Sequence, residues 1–499
     1  MTAVAERHSI VRKILKGLGI VAAAVVLAMV GLSVVFSIAG RDIEPPDVSD
    51  LLPPPLPPVE QSENMVPVLM DATNLCVKPY PDSALANFYR RDDWDHKLNV
   101  GGTNRVFTVE EATALVDRLL ATNAALFAAL DVAASRPHAR YPSRLVMQYP
   151  LPEIYDTDAY SELCSFELTA YQYGVLVALR ARRQRECGHC EEAVGGLLRL
   201  GEMFARLSYD HDTGILFMYG PDLPVTAELV KAIWHDDISD ETCVRIGGAL
   251  SRWAKMRREA MYRSHLVYFG CWHNFLSLER TELYERLFPS ECFEPAPQLR
   301  ECRWAGTLAK CAEWFVRNYP GYGSYAFQPN RTMLEFASEA RADCPAAYTT
   351  PYSPEMRAQF AERAARMTTT EDTQLFRRNS LGRDCIKRGY ASGGTYRFVG
   401  RIAFADEARR LTVAIARYRR KHGDAPTRLE DLVPEFLDEV PRDPFDSTRP
   451  IGYNAGQGTI HTVGAKGDFS GRIPKPNARY GGLKGDYYRY IYRIDGSLL

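Results

Sequence analysis

From Gly17 to Ala39 the chain reads GLGIVAAAVVLAMVGLSVVFSIA without one charged side chain. A helix of about 20 residues crosses the ~30 Å hydrocarbon layer of a bilayer, so this run is long enough to span a membrane. Arg7, Arg12, Lys13 and Lys16 precede it, and Asp42, Glu44, Asp47 and Asp50 follow it. The positive-inside rule then leaves residues 1–16 as a cytoplasmic tail, makes 17–39 a transmembrane helix and sends the remaining chain outside. Ser37-Ile38-Ala39 offers a signal-peptidase site, but the apolar core of a secretory signal runs only ~7–15 residues, which favours an uncleaved anchor. No later segment is apolar enough to span again. The expectation is a single-pass protein of the cytoplasmic (inner) membrane, its bulk extracytoplasmic.

At 499 residues the chain has room for two or three domains. Lys and Arg (61) balance Asp and Glu (62), so the overall charge points away from a nucleic-acid or other polyanionic partner. Eleven cysteines, an odd number, suit an oxidising compartment. Residues 40–64 contain PPDVSDLLPPPLPP, a proline density that favours polyproline II or a disordered linker, and are expected to form a stalk.

Residues 65–395 carry helical periodicity. TVEEATALVDRLLATNAALFAAL opens with a capping box, Thr108 to Glu111, and sets Leu115, Val116, Leu119, Leu120, Leu126, Phe127 and Leu130 on one face of a single predicted helix. Further helices are predicted over about 160–184 and 191–207, and another from Ser239, with Asp240 and Glu241 in its first turn. The segment reads as stacked helical hairpins without a strict repeat.

Between two of these helices lies RECGHCEEAV. Cys187-Gly188-His189-Cys190 matches the active-site sequence of protein disulfide isomerases, members of the thioredoxin family. That chemistry needs an exposed thiolate at a helix N-terminus with a resolving thiol one turn on. It also needs a buried strand entering the motif, whereas VALRARRQRE is helical in pattern, and the Trp usual before the first Cys is Glu186 here. Pro224, the residue available as the family's cis-proline, is followed by the helical AELVKAIW. The preferred reading is a turn: Gly188 ends one helix at positive φ, Glu191 and Glu192 open the next, and the stretch resembles a TPR-like hairpin. An incidental metal-binding pair is the third reading.

Asp210, His211 and Asp212, like His235, Asp236 and Asp237, are side-by-side polar residues that diverge on a helix, and are expected to be caps or loops rather than metal ligands. Neither cofactor nor metal is expected. The basic run RYRRKHG at 417–423 fits a helix C-terminal turn. Cys292 and Cys302 bracket a short proline-containing loop that a disulfide could close.

Residues 406–454 hold the most specific pattern. An amphipathic helix with Ala408, Leu411, Ala414 and Tyr418 stops at Gly423. Thr427 to Glu430 reads as a second capping box before Leu429, Leu432 and Val433, and Pro441-Arg442-Asp443-Pro444 forces a turn. PIGYN and TIHTVG then alternate as strands joined through Gly456 and Gly458. This order resembles the globular part of type II secretion major pseudopilins, matched here by Tyr418, Gly423, Pro426, Leu432, Pro441, Asp443, Pro444 and Tyr453 over about 399–470. The resemblance implies a borrowed α+β fold for residues 396–499. Lys466 stands where that family carries an acid, beside Asp468, so its calcium site is not transferred.

The expected fold class is therefore mainly α: one transmembrane helix, a TPR-like helical ectodomain and a small pseudopilin-like module. The expected function is non-enzymatic, a membrane-anchored scaffold binding protein or peptide partners. An accessory role in a secretion or pilus-like system is the first alternative, and a thiol oxidoreductase using Cys187 and Cys190 the second.

Overall fold

The computed structural model describes residues 2–77, 109–142, 157–209, 222–235, 238–278, 325, 327–368, 379, 383, 386, 392–464 and 491–494. They are mainly helical and fall into two units. Unit 1 draws on Met1–Asp50, Trp272–Ala340 and Arg366–Ala391, and unit 2 on Leu51–Cys271, Arg341–Ala365 and Ser392–Leu499.

The helices are α1 (Thr2–Ala39), α2 (Met65–Asp71), α3 (Val109–Thr122), α4 (Ala124–Ala134), α5 (Thr157–Glu186), α6 (Cys190–Tyr209), α7 (Asp222–His235), α8 (Asp240–Leu276), α9 (Pro329–Ala347), α10 (Pro354–Thr368) and α11 (Ser392–His422). Residues 20–39 of α1 are long and apolar enough to cross a membrane, and almost all of them are exposed. Within unit 1, Trp272 packs edge-on to Phe275 and against Phe336, in both cases with ring centroids 5.8 Å apart.

The body of unit 2 is built from α2 to α8. Its core runs from Met65 and Leu69 through Leu126 and Leu130, Tyr173 and Leu176, Leu197 and Phe204, to Ile233, Ile246 and Trp253. Three pairings of α5, α6 and α7 with one another supply much of it. Gly201 is required by close approach: a Cβ there would stand 2.3 Å from the indole of Trp253, so a side chain would push α6 away from α8. Trp253 reaches this position with its Nε1 donating to Glu202 at 2.7 Å.

The single helix expected over 108–130 is two. α3 and α4 meet at Asn123 with a bend of 61°. Asn123 is fully buried; its Nδ2 donates to the carbonyls of Leu119 (2.9 Å) and Val77 (3.1 Å), and its Oδ1 accepts from the Val77 N–H (2.9 Å). A buried amide that pairs with a distant backbone holds the bend, which apolar periodicity alone cannot reveal. The apolar residues of this pair are core: Leu126, Leu130 and Ala133 have no exposure. Thr108, the expected cap, lies outside the described residues.

The C-terminal part contains β1 (Arg442–Asp443) paired antiparallel with β2 (Asp446–Pro450), and a three-stranded antiparallel sheet of β3 (Gly452–Asn454), β4 (Thr459–His461) and β5 (Ile491–Arg493), with β4 in the middle. Tyr453 faces Ile460, and Ile460 faces Tyr492. The β3–β4 hairpin was expected; β5, arriving from thirty residues further on, was not. Leu411, Ala414, Leu429, Leu432, Ile451, Ile460 and Ile494 form the core, with Tyr418 and Tyr453 at its edge. The expected capping box shifts by one residue. Asp431, not Glu430, accepts from the Arg428 N–H (3.3 Å) and from Thr427 Oγ1 (3.1 Å), and the segment 429–432 is a single 3₁₀ turn.

A boundary at 396 is not visible as a break in packing. α11 begins at Ser392 and serves two cores, with Val413 and Ala416 in the helical body and Leu411, Ala414 and Ile415 in the C-terminal cluster. A buried ion cluster fastens it: Arg257 of α8 pairs with Asp222 at 2.9 Å and with Asp406 of α11.

Residues 40–64, expected to form a stalk, include side chains that pack against protein. Val48 and Leu51 are buried, and Pro53 packs over Gly270, where a Cβ would meet it at 3.3 Å. Proline density set the backbone to be extended, but these residues lie along protein.

Candidate functional site

Cys187 and Cys190 stand in the turn between α5 and α6. The His189 N–H donates to the Gln184 carbonyl (2.9 Å) and the Gly188 N–H to that of Arg185 (2.9 Å), with Gly188 at φ +84°. This is the paired bonding of a Schellman cap, which satisfies carbonyls the helix end leaves over. A helix, not a strand, enters Cys187. Its side chain is exposed, while Cys190 is half-buried with Sγ 3.9 Å from the Arg185 carbonyl. Both are thiols, as are Cys76, Cys243 and Cys271.

Glu191 does more than favour its own helix. It accepts from the Ser239 N–H (2.9 Å) and from Thr242 Oγ1 (2.6 Å), while the Thr242 N–H donates to Ser239 Oγ (3.1 Å). The start of α8 is therefore capped by Ser239, as expected, and clasped by an acid from α6. These bonds hold the Glu191 carboxyl below its ordinary value.

Between α5 and α6 a groove of about 190 Å³ opens. Val177, Ala181, Leu197 and Leu200 give it an apolar lining, and Arg180, Gln184, Glu192 and Arg199 a polar one. Gln184 donates to Glu192 (3.3 Å), Arg199 pairs with Asp131 (2.7 Å), and the Arg180 guanidinium lies 4.9 Å from the Phe127 ring centre. Gly196 lines the groove, and no described residue comes within 4 Å of where a Cβ on Gly195 or Gly196 would stand. A mid-helix glycine costs about 1 kcal/mol relative to alanine. At this pair neither packing among the described residues nor backbone conformation asks for it, and the doublet was legible in VGGLL though its meaning was not.

A second groove, of about 510 Å³, lies between α8, α11 and the 434–439 loop, with Val244, Val413, Phe436 and Leu437 among its walls. The basic run beside it is spent internally. Arg417 forms a two-bond pair with Asp240 (2.7 and 2.9 Å), Arg419 donates to the Trp234 carbonyl (2.8 Å), and Arg420 to those of Ile233 (2.7 Å) and Ile238 (3.1 Å). The run ends its own helix at Gly423 and also caps the C-terminus of α7.

Asp443 is occupied by its turn. It is buried and accepts from the N–H groups of Phe445 (2.9 Å) and Val463 (2.8 Å) and from Thr462 Oγ1 (2.5 Å). Burial nonetheless pushes its carboxyl above the usual range. Asp210, His211, Asp212, Asp236, Asp237, Cys292, Cys302, Lys466 and Asp468 lie outside the described residues, as does the side chain of His235. Among the described residues no group of three or more His, Cys, Asp or Glu could hold a metal ion. No protein-family model, no curated protein and no solved structure matches the chain.

Proposed function

We infer that the protein is a membrane-anchored scaffold whose helical grooves take a protein or peptide segment. The observation that carries this reading is Gly196, which lines an open, apolar-floored slot on α6 where no described residue comes within 4 Å of a Cβ. A slot with an apolar lining and a few fixed polar groups suits an extended or helical peptide. The charge asymmetry around α1 supports an N-terminus in the cytoplasm and a bulk outside an inner membrane, which a reporter fused after Leu499 would read directly. The element order from α11 to β4 supports the pseudopilin-like reading of the C-terminal part, as a borrowed fold serving the scaffold.

The test uses the full chain in detergent and a displayed peptide library. Selected binders should weaken at least tenfold on Gly196→Trp, which fills the slot without meeting a described residue at the Cβ position, while the helical circular dichroism stays unchanged. Binders indifferent to Gly196→Trp would remove this groove from the proposal. Catalysed disulfide exchange that vanishes with Cys187→Ser and Cys190→Ser would replace the scaffold reading by the oxidoreductase one.

A further inference from the structure

The last turn of α1 is built into unit 1. Val34, Val35 and Ile38 are 52%, 58% and 61% exposed, yet Phe36 is only 4% exposed. Its ring centroid lies 4.9 Å from that of Tyr325. Helix-ending carbonyls lack partners within the helix. Here the buried Gln328 supplies one, donating from Nε2 to the carbonyls of Ala39 (3.0 Å) and Arg41 (3.3 Å).

The exchange is mutual. Asp42 accepts from the N–H groups of Asn330 (2.8 Å) and Arg331 (3.1 Å), bringing a carboxylate to the N-terminus of α9, where unpaired N–H groups and the helix dipole favour it. Asn330 Nδ2 also donates to the Ile43 carbonyl at 2.8 Å. Gln328 is itself held from behind: its N–H donates to Asn379 Oδ1 (3.0 Å), which also accepts from Thr332 Oγ1 (3.0 Å). The Asn379 N–H in turn donates to the Tyr325 carbonyl at 2.8 Å.

The arrangement sets a height. Residues Ile20–Ala39 fill the hydrocarbon layer at about 1.5 Å per residue, and each headgroup layer beyond it is about 5–8 Å deep. Asp42 is three residues past Ala39, at most about 10 Å of extended chain. We propose that this reciprocal cap seats unit 1 in the lipid headgroup layer, with Tyr325 as an interfacial aromatic and Arg41 and Arg331 at the level of the lipid phosphates. Tyrosine is favoured at that depth, and guanidinium groups pair well with phosphate. The same contacts argue for retention of α1, because cleavage after Ala39 would remove Phe36 from the fold.

This proposal rests on the reading of α1 as a membrane anchor, and the experiment separates the two. The full chain is reconstituted in bilayers of phosphatidylcholine and phosphatidylglycerol, with fluorotyrosine placed at Tyr325. Resistance of the chain to an alkaline wash reports the anchor alone. A lipid carrying a headgroup spin label should speed the fluorine relaxation at position 325 several-fold, and the double variant Asp42→Ala, Gln328→Ala should lose that effect while keeping the wash resistance. Wash resistance without relaxation enhancement overturns the seat and leaves the anchor standing. Enhancement unchanged in the double variant overturns the cap as its cause. Loss of the chain in the wash overturns both.

Discussion

Glu167, on α5, shows how one half-buried side chain can make a whole fold sensitive to pH. Burial pushes its carboxyl up to about 7 from an ordinary 4.5, and its Oε1 has no hydrogen-bond partner among the described residues. Its charge adds to the burial that already holds the Tyr141 phenol high. The folded chain thus binds this proton more tightly than the unfolded chain does. Its stabilising effect is complete below pH 4.5 and is lost as the pH rises through about 7, a change on the order of 3 kcal/mol. Glu167→Gln keeps the shape without the charge. The variant should melt several degrees higher than the parent at pH 8 and level with it at pH 4; the same difference at both pH values would refute the assignment.

At the scale of elements, the turn between α5 and α6 separates shape from chemistry. Gly188 is the residue that the turn needs, at φ +84° with no described residue within 4 Å of a Cβ. Gly188→Ala should lower stability by about 1 kcal/mol through backbone strain alone. Cys187→Ser with Cys190→Ser should stay within about 0.5 kcal/mol, because one side chain is exposed and the other only half-buried. Denaturant midpoints of the three proteins decide the order. Costly cysteines and a neutral glycine would mean that the motif is kept for its thiols.

At the scale of the molecule, α11 ties the C-terminal part to the helical body. Its two buried faces, the Arg417–Asp240 pair and the Arg257 cluster all reach across what the sequence presents as a module boundary. Residues 396–499 expressed alone would expose Val413 and Ala416 and leave Asp406 without Arg257. That fragment should give little ordered signal in a proton–nitrogen NMR spectrum, whereas the chain from residue 40 should give dispersed peaks. A dispersed spectrum from the fragment would show that the module folds by itself.

The amino-acid sequence by itself determined what depends on neighbours along the chain. The uncharged run of α1 declares its length and polarity, apolar spacing marks α5 and α6, and glycines at Gly188 and Gly423 announce helix ends, since only a residue without a Cβ takes positive φ cheaply. The tertiary structure decided whatever depends on a partner far along the chain. Asn123 bends a helix through Val77, 46 residues away, and Glu191 clasps Ser239, 48 away. Arg419 caps a helix at Trp234, 185 residues back, and Asp42 caps another at Arg331, 289 residues ahead. A polar side chain carries its donors and acceptors wherever it stands, and local sequence does not say which backbone will meet them. Proline density made 40–64 read as a stalk, and it carried no sign that Asp42 and Gln328 tie the start of that stretch to α9 and to the end of α1.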